Sequence, residues 1–167
     1  VRISMKNKTL ALLRAGGHGQ VCADVAEELG WKVVFYDDAF PKITRCLCWE
    51  VVGTYQDLVN DFERYDGVFV GIGNNKVRAD ILLNARQMGI NVISLVSEKA
   101  NVSSRANIGQ GVLVNAGATI NFAASIADGV IVNTGANVDH HGELNFCCHV
   151  SPGANLAGNV RIGAQAW

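Results

Sequence analysis

Residues 112–120 read Val-Leu-Val-Asn-Ala-Gly-Ala-Thr-Ile, and residues 130–138 read Val-Ile-Val-Asn-Thr-Gly-Ala-Asn-Val. The second stretch is the first again, eighteen residues on. Inside that spacing lies a finer period of six. From Val96 onward every sixth residue is Val102, Ile108, Val114, Ile120, Ile126, Val132, Val138, Leu144, Val150, Leu156 and Ile162. Twelve aliphatics in a row at one spacing would arise by chance on the order of once in ten million trials. Two residues before most of them sits a small or modest residue, such as Ala106, Val112, Ala118, Ala124, Val130, Ala136 and Ala154. An α-helix needs an apolar period near 3.6 and a flat strand needs 2, so neither accounts for a strict six. A hexapeptide period specifies a parallel β-helix, in which short strands alternate with turns. In the triangular prism of hexapeptide β-helices three hexapeptides close one coil. Residues eighteen apart then stack about 4.8 Å from one another. Val102, Ile120, Val138 and Leu156 are expected to form one internal ladder, and the segment encodes about four coils.

Upstream of residue 95 the pattern changes. Thr9–Leu13 is an apolar run that meets Ala15-Gly16-Gly17-His18-Gly19, followed by a helical pattern over Val21–Leu29 closed by Gly30. Trp31–Tyr36 predicts a second strand ending at Asp37-Asp38. Thr54 with Asp57 predicts a helix N-terminus. Gly67–Gly71 predicts a third strand, Ile72-Gly73-Asn74-Asn75 leads into a helix from Lys76, and Asn91–Val96 predicts a fourth strand. Alternating strands and helices predict a small parallel, Rossmann-like α/β sheet. The fold expected is therefore an α/β domain over residues 1–94 and an all-β left-handed parallel β-helix over 95–167.

Composition narrows the function. Fourteen Lys and Arg balance fifteen Asp and Glu, a net charge of -1. No basic field exists to hold a nucleic-acid backbone. The Met5-Lys6-Asn7-Lys8 lead resembles a signal peptide only superficially, because the apolar run after it is short and a Gly-rich turn follows. Residues 1–4 precede the first Met, as an added leader or an alternative start would. No stretch approaches the roughly 18 apolar residues of a membrane span. Five cysteines, Cys22, Cys46, Cys48, Cys147 and Cys148, form an odd set without zinc-ribbon spacing and are expected to be reduced thiols of a cytoplasmic protein. Cys46 and Cys48 are expected in a loop.

The Gly-His-Gly turn, the Asp37-Asp38 pair, the Ile72–Arg78 stretch and, inside the β-helix, Val138-Asp139-His140 followed by His149-Val150-Ser151 converge. Together they resemble the sugar O-acyltransferase family that includes the sialic acid O-acetyltransferases, and most of all its members that N-acetylate UDP-linked amino sugars. The resemblance implies acetyl-CoA as cosubstrate, a nucleotide sugar as acceptor, a homotrimer with the coenzyme between neighbouring β-helices, and no metal. It implies His140 as general base with His141 beside it, and His149 and Gly158 at the acetyl-CoA site. It places Gly16, Gly17, His18, Gly19, Asp37, Asp38, Gly73 and Asn74 around the UDP-sugar. The repeat gives an independent reason for one pairing: Gly158 is His140 plus eighteen, so its backbone N–H stacks beside the base, where an oxyanion needs a donor. A Gly-rich turn opening a helix likewise suits phosphate.

Three departures from the family pattern stand out. Arg14 occupies a position where the family carries Gly. His141 stands where the related enzymes have an acidic residue supporting the base, leaving Asp139, Glu143 or a neighbouring subunit to orient His140. The chain stops at Trp167, short of the further coils and cap that the family continues into.

Plainer readings compete at each residue. His140, His141 and His149 are also compatible with polar corner residues, and Asn74 with a helix cap. Cys147, Cys148 and the three late histidines invite a zinc site, but adjacent strand residues face opposite ways. A γ-type carbonic anhydrase would need three ligating histidines, which spacings of 1 and 8 do not supply. The remaining alternatives are O-acetylation of a sialic acid or other sugar, and an inactive truncated sugar-nucleotide-binding protein.

Overall fold

The computed structural model describes residues 8–167. The Met5–Asn7 lead lies outside them. The chain opens with β1 (Thr9–Leu13), α1 (Gly17–Glu28), β2 (Lys32–Tyr36), β3 (Arg45–Cys46), β4 (Trp49–Gly53), α2 (Tyr55–Asp61), β5 (Gly67–Val70) and α3 (Asn75–Gln87). The sheet order is β3-β4-β2-β1-β5, with all neighbours parallel except β3 against β4. Successive residues of a strand face opposite sides. Leu10 and Leu12 accordingly pack under α1, with Cys22, Ala23 and Ala26, while Ala11 and Leu13 pack under α2 and α3, with Leu58, Ala79 and Leu82. Helices thus cover both faces of a mostly parallel sheet.

Twelve two-residue strands follow, from β6 (Leu95–Val96) to β17 (Arg161–Ile162), stacked as three four-stranded parallel sheets. Every pairing joins residues eighteen apart, such as Ile120 with Val138 and Val138 with Leu156. Val114, Ile120, Ile126, Val132, Val138, Leu144 and Val150 are all buried in one continuous core. The expected ladder is the observed one. The corners add a feature the aliphatic pattern does not show. From residue 111 to residue 165 every sixth residue has positive φ, through Gly111, Gly117, Ala123, Gly129, Gly135, His141, Cys147, Gly153, Asn159 and Gln165.

Four local expectations change. The Gly16–Gly19 segment is no free turn: α1 begins at Gly17, four residues before the apolar pattern, with Gly16 at its N-cap. The stretch Asn91–Val96 is not one strand. Val92 bridges to Val68 of the α/β sheet, whereas Leu95–Val96 already belongs to the β-helix. Strand β4 was not foreseen. Cys46 is a buried strand residue of β3 rather than a loop residue, while Cys48 is exposed in the turn.

One face of the prism docks on the α/β unit. Its outward residues Leu95, Leu113 and Ile131 are buried against the α1 side of the sheet. The fourth rung of that same outward ladder, paired with Ile131, is His149.

Candidate active site

His140 stands on the corner after β13 (Asn137–Val138), and its exposed ring is held from two sides. Its Nδ1 lies 3.1 Å from Nδ1 of His141, so one ring donates and the other accepts. Gly158 lies one coil beyond. A Cβ there would meet Nδ1 at 2.9 Å, and Cε1 and Nε2 nearer still, so only a glycine leaves the imidazole its place. Gly158 also differs in its backbone. The corner N–H groups of Phe122 and His140 are capped by the preceding side chains, Asn121 Oδ1 at 2.8 Å and Asp139 Oδ1 at 2.7 Å. Residue 157 is alanine and has no such acceptor. The Gly158 N–H therefore carries no hydrogen bond among the described residues, on a residue packed against the Cε1–Nε2 edge of His140.

Neither carboxylate considered as a support for His140 touches its ring. Asp139 accepts from the His140 backbone and from Asn121 Nδ2, while Glu143 is engaged by Arg161 at 2.7 Å. His141 is the partner instead, from one of the positive-φ corner positions. Alongside, an open groove of about 460 Å³ is lined by Thr119, Asn121, Asn137, Asp139 and Asn155.

His149 belongs to a second cluster. It is 7% exposed, stacks on Trp167 at 4.7 Å between centroids, and faces the ring of His18 at 6.4 Å. Asn133 sets its proton. The Thr134 N–H and Asn115 Nδ2 both donate to Asn133 Oδ1, so Asn133 Nδ2 points at His149 Nε2, 3.0 Å away. Nε2 must accept, which places the ring proton on Nδ1. Among the described residues that Nδ1 is buried without a partner, as is Nε2 of His18. Burial, then the Arg78 charge and then His18, push His149 down to about 4, and burial with Arg78 lowers His18 as well. His149 is thus a neutral donor near pH 7.

The glycine-rich segment lies at the C-terminal end of β1. That strand is flanked by β2 on one side and β5 on the other, the switch point where α/β sheets open a crevice. No packed atom lies within 4 Å of a Cβ built on Gly16 or Gly17, and α1 carries no acidic residue in its first turn. Gly19 is different: a Cβ would drive into the Arg14 carbonyl, so it is needed for close packing of helix on strand. Arg14 has φ of +82°, a conformation glycine adopts freely, and pairs with Asp38 at 3.1 Å. Asp38 also accepts the Tyr55 N–H. Asp37 is spent on the backbone, accepting from Ala15 and Ala39. Asn74 caps α3 by accepting the Val77 N–H, and a Cβ on Gly73 would lie 3.9 Å from His18 Cγ.

The structure therefore gathers the predicted residues into two groups: His140, His141 and Gly158 on one corner, and His18, Gly73 and His149 where the α/β unit meets the prism. Cys147 and Cys148 face different cores, and among the described residues no three His, Cys, Asp or Glu side chains gather as a metal site. No helix among them is long and apolar enough to cross a membrane. Two residues beside the second group, Arg78 and Asn133, carry no site role in the sequence reading, although Arg78 closes the Ile72–Arg78 stretch. Arg78 sits in the buried stripe Asn75-Arg78-Leu82-Ala85 of α3, and a cation in that register is the signal that could have exposed it.

A hexapeptide prism with a histidine at its corner and a doubly wound α/β unit against its side describes an acyltransferase architecture. The profile of the PglD N-terminal domain matches residues 9–85. The acetyltransferase domain of PglB from Neisseria gonorrhoeae FA1090 is 41% identical, with a TM-score of 0.88 over 95% of this chain and 78% of that one. The same domain in complex with acetyl coenzyme A gives 42%, 0.87, 93% and 76%. PerB from Caulobacter crescentus, in complex with CoA and GDP-perosamine, is 33% identical, with a TM-score of 0.87 over 94% of this chain and 75% of its own. This chain belongs to the sugar acetyltransferases of the hexapeptide family.

Proposed function

We propose that this protein transfers the acetyl group of acetyl-CoA to the amine of a nucleotide-linked amino sugar, UDP-linked in our reading. The observation that carries the mechanism is the unpaired N–H of Gly158, the residue packed against the Cε1–Nε2 edge of His140. In the productive tautomer His140 donates Nδ1–H to His141 Nδ1, which leaves Nε2 as the base. As the sugar nitrogen forms its bond to the thioester carbonyl carbon, Nε2 takes the amine proton. The carbonyl oxygen becomes an oxyanion and accepts from the Gly158 N–H. The C–S bond then breaks, the electron pair leaves on sulfur, and the imidazolium returns its proton to the thiolate. No acyl-enzyme is needed. The Cys147 and Cys148 thiols are buried and pushed up to about 11, which makes them poor nucleophiles.

The crevice beyond β1 supports a nucleotide diphosphate, with α1's free N–H groups for the phosphates and Asp38 at its rim. The amide-lined groove beside His140 suits the amide-rich arm of the coenzyme. His140 and His149 lie on different faces of the prism; in the homotrimer that the family resemblance implies, a neighbouring copy would bring the two faces to one site.

The test is transfer to UDP- and GDP-linked amino sugars and to their hydroxyl counterparts, followed by release of the coenzyme thiol. His140→Ala should lower kcat by about 10² to 10⁴, the range for loss of a general base. Transfer to hydroxyl sugars alone would make the protein an O-acetyltransferase, and wild-type turnover in His140→Ala would remove His140 as the base.

A further inference from the structure

Arg78 is the largest fully buried side chain among the described residues, at 1% exposure, and the mechanism above gives it no task. All five of its N–H donors are used. Nε donates to the Gly129 carbonyl at 2.8 Å, and Nη1 donates to Ile72 and Gly73 at 2.8 and 3.0 Å. Nη2 donates to Asn75 Oδ1 and to the Cys147 carbonyl, both at 2.8 Å. Asn75 continues the link, its Nδ2 donating to the carbonyls of Gln165 and Ala166. The acceptors come from three separate stretches: the turn after β5, α3 itself, and the stacked corners at 129, 147 and 165. Ala166 in turn accepts the His149 N–H at 2.9 Å, and a Cβ built on Gly73 would point to the His18 ring, 3.9 Å from its Cγ.

Every acceptor is neutral. The ionisable groups facing the guanidinium are His18 and Cys22 from α1 and Cys147, Cys148 and His149 from the coil beneath it. None is a carboxylate, and burial holds the three thiols protonated. A buried cation without a carboxylate is costly, but an apolar residue in its place would leave four carbonyls and the Asn75 amide oxygen without a donor. A planar fork that reaches three stretches at once fixes their mutual geometry.

We propose that Arg78 is a positioning residue for the transfer reaction, fixing the Ile72–Gly73 turn and the His18 ring beside it relative to the corner that carries His149. Arg78 aligns the sugar-binding half with the coenzyme half and binds neither ligand. This rests on the acetyl-transfer reading, and its test separates the two. Each half still binds its own ligand in Arg78→Met, so KM for acetyl-CoA and for the nucleotide sugar should change by less than about 3-fold. Misalignment by about 1 Å should meanwhile lower kcat by roughly 10- to 100-fold. Arg78→Lys keeps the charge and loses the fork, and should recover only part of the rate.

A second readout needs no turnover. In ring-¹⁵N spectra His149 should titrate at higher pH in Arg78→Met than in wild type, and unchanged in Arg78→Lys. If wild type transfers no acetyl group, the reaction reading fails while this titration still tests the placement of Arg78. Should Arg78→Met not fold, Asn75→Ala should show the same split with a loss of about 3- to 10-fold in kcat, because one of five acceptors and both links to the last corner are gone. A folded Arg78→Met with wild-type kcat, or an unmoved His149 titration, overturns the proposal. So does wild-type kcat in Asn75→Ala.

Discussion

The contact between Gly158 and His140 allows the base to be displaced without being removed. In Gly158→Ala the new Cβ would sit 2.9 Å from Nδ1 and closer still to Cε1 and Nε2, whereas ordinary contact begins at 3.4 Å. The ring must retreat by about 1 Å, a misplacement worth on the order of 10²-fold in rate when it separates reacting groups. The backbone itself is undisturbed. Gly158 lacks the positive φ of its neighbour Asn159, and the exposed ring has solvent to move into, so stability should change by no more than about 0.5 kcal/mol. Alanine also keeps the N–H, so the oxyanion donor survives while the base moves. Steady-state kinetics should therefore show kcat reduced about 10²-fold, with acetyl-CoA affinity by calorimetry near wild type. Combining the change with His140→Ala should cost nothing further, because residues acting as a unit are not additive. Near-wild-type kcat in Gly158→Ala, or a second full loss in the double variant, would refute the reasoning.

Two further outcomes concern stability. Leu47 opens the two-residue loop between β3 and β4 at φ of +53° and is 74% exposed, while Cys48 has no positive φ. That pattern is the one type II′ hairpins fill with glycine, so Leu47→Gly should raise denaturant stability by about 0.5–1 kcal/mol; a loss would show that Leu47 has a contact of its own. His149 is held near 4 against an ordinary value of 6.5, so the unfolded chain binds its proton first as pH falls. Stability should be full above about pH 6.5 and drop by on the order of 2–3 kcal/mol as pH falls towards 4. His149→Gln should flatten that slope in urea titrations, and an unchanged slope would show that other groups cause it.

The β-helix was legible because its period is enforced at every rung: a side chain at each sixth position has nowhere to go but the core. The corners were only half legible. Gly111, Gly117, Gly129, Gly135 and Gly153 mark left-handed positions, but Ala123, His141, Cys147, Asn159 and Gln165 take the same conformation because the stacked coils impose it. A cost of about 1–2 kcal/mol at each such residue is met by pairing above and below. Strand β4 was missed for a related reason, since Leu47-Cys48 carries none of the residues that announce a hairpin. The Asn91–Val96 run was misread as one strand because apolar alternation cannot say which sheet a residue joins. Here Val92 serves one sheet and Leu95 another.

His149 shows where such reading ends. Its address was fully determined by the repeat: outward, on the face that carries Leu95, Leu113 and Ile131. Three rungs of that ladder are apolar because α1 and its sheet cover them. A histidine in the fourth rung makes sense only once the start of α1 is known to lie opposite, with His18 as its second residue and Arg78 behind. The period specifies which way a residue faces, but not what it faces. That depends on how the α/β unit docks, and Arg78 holds that docking by donating to the Gly129 and Cys147 carbonyls of the prism while its other three bonds anchor it to Ile72, Gly73 and Asn75. Backbone carbonyls leave no mark in a sequence, so a site built on them is visible only after folding.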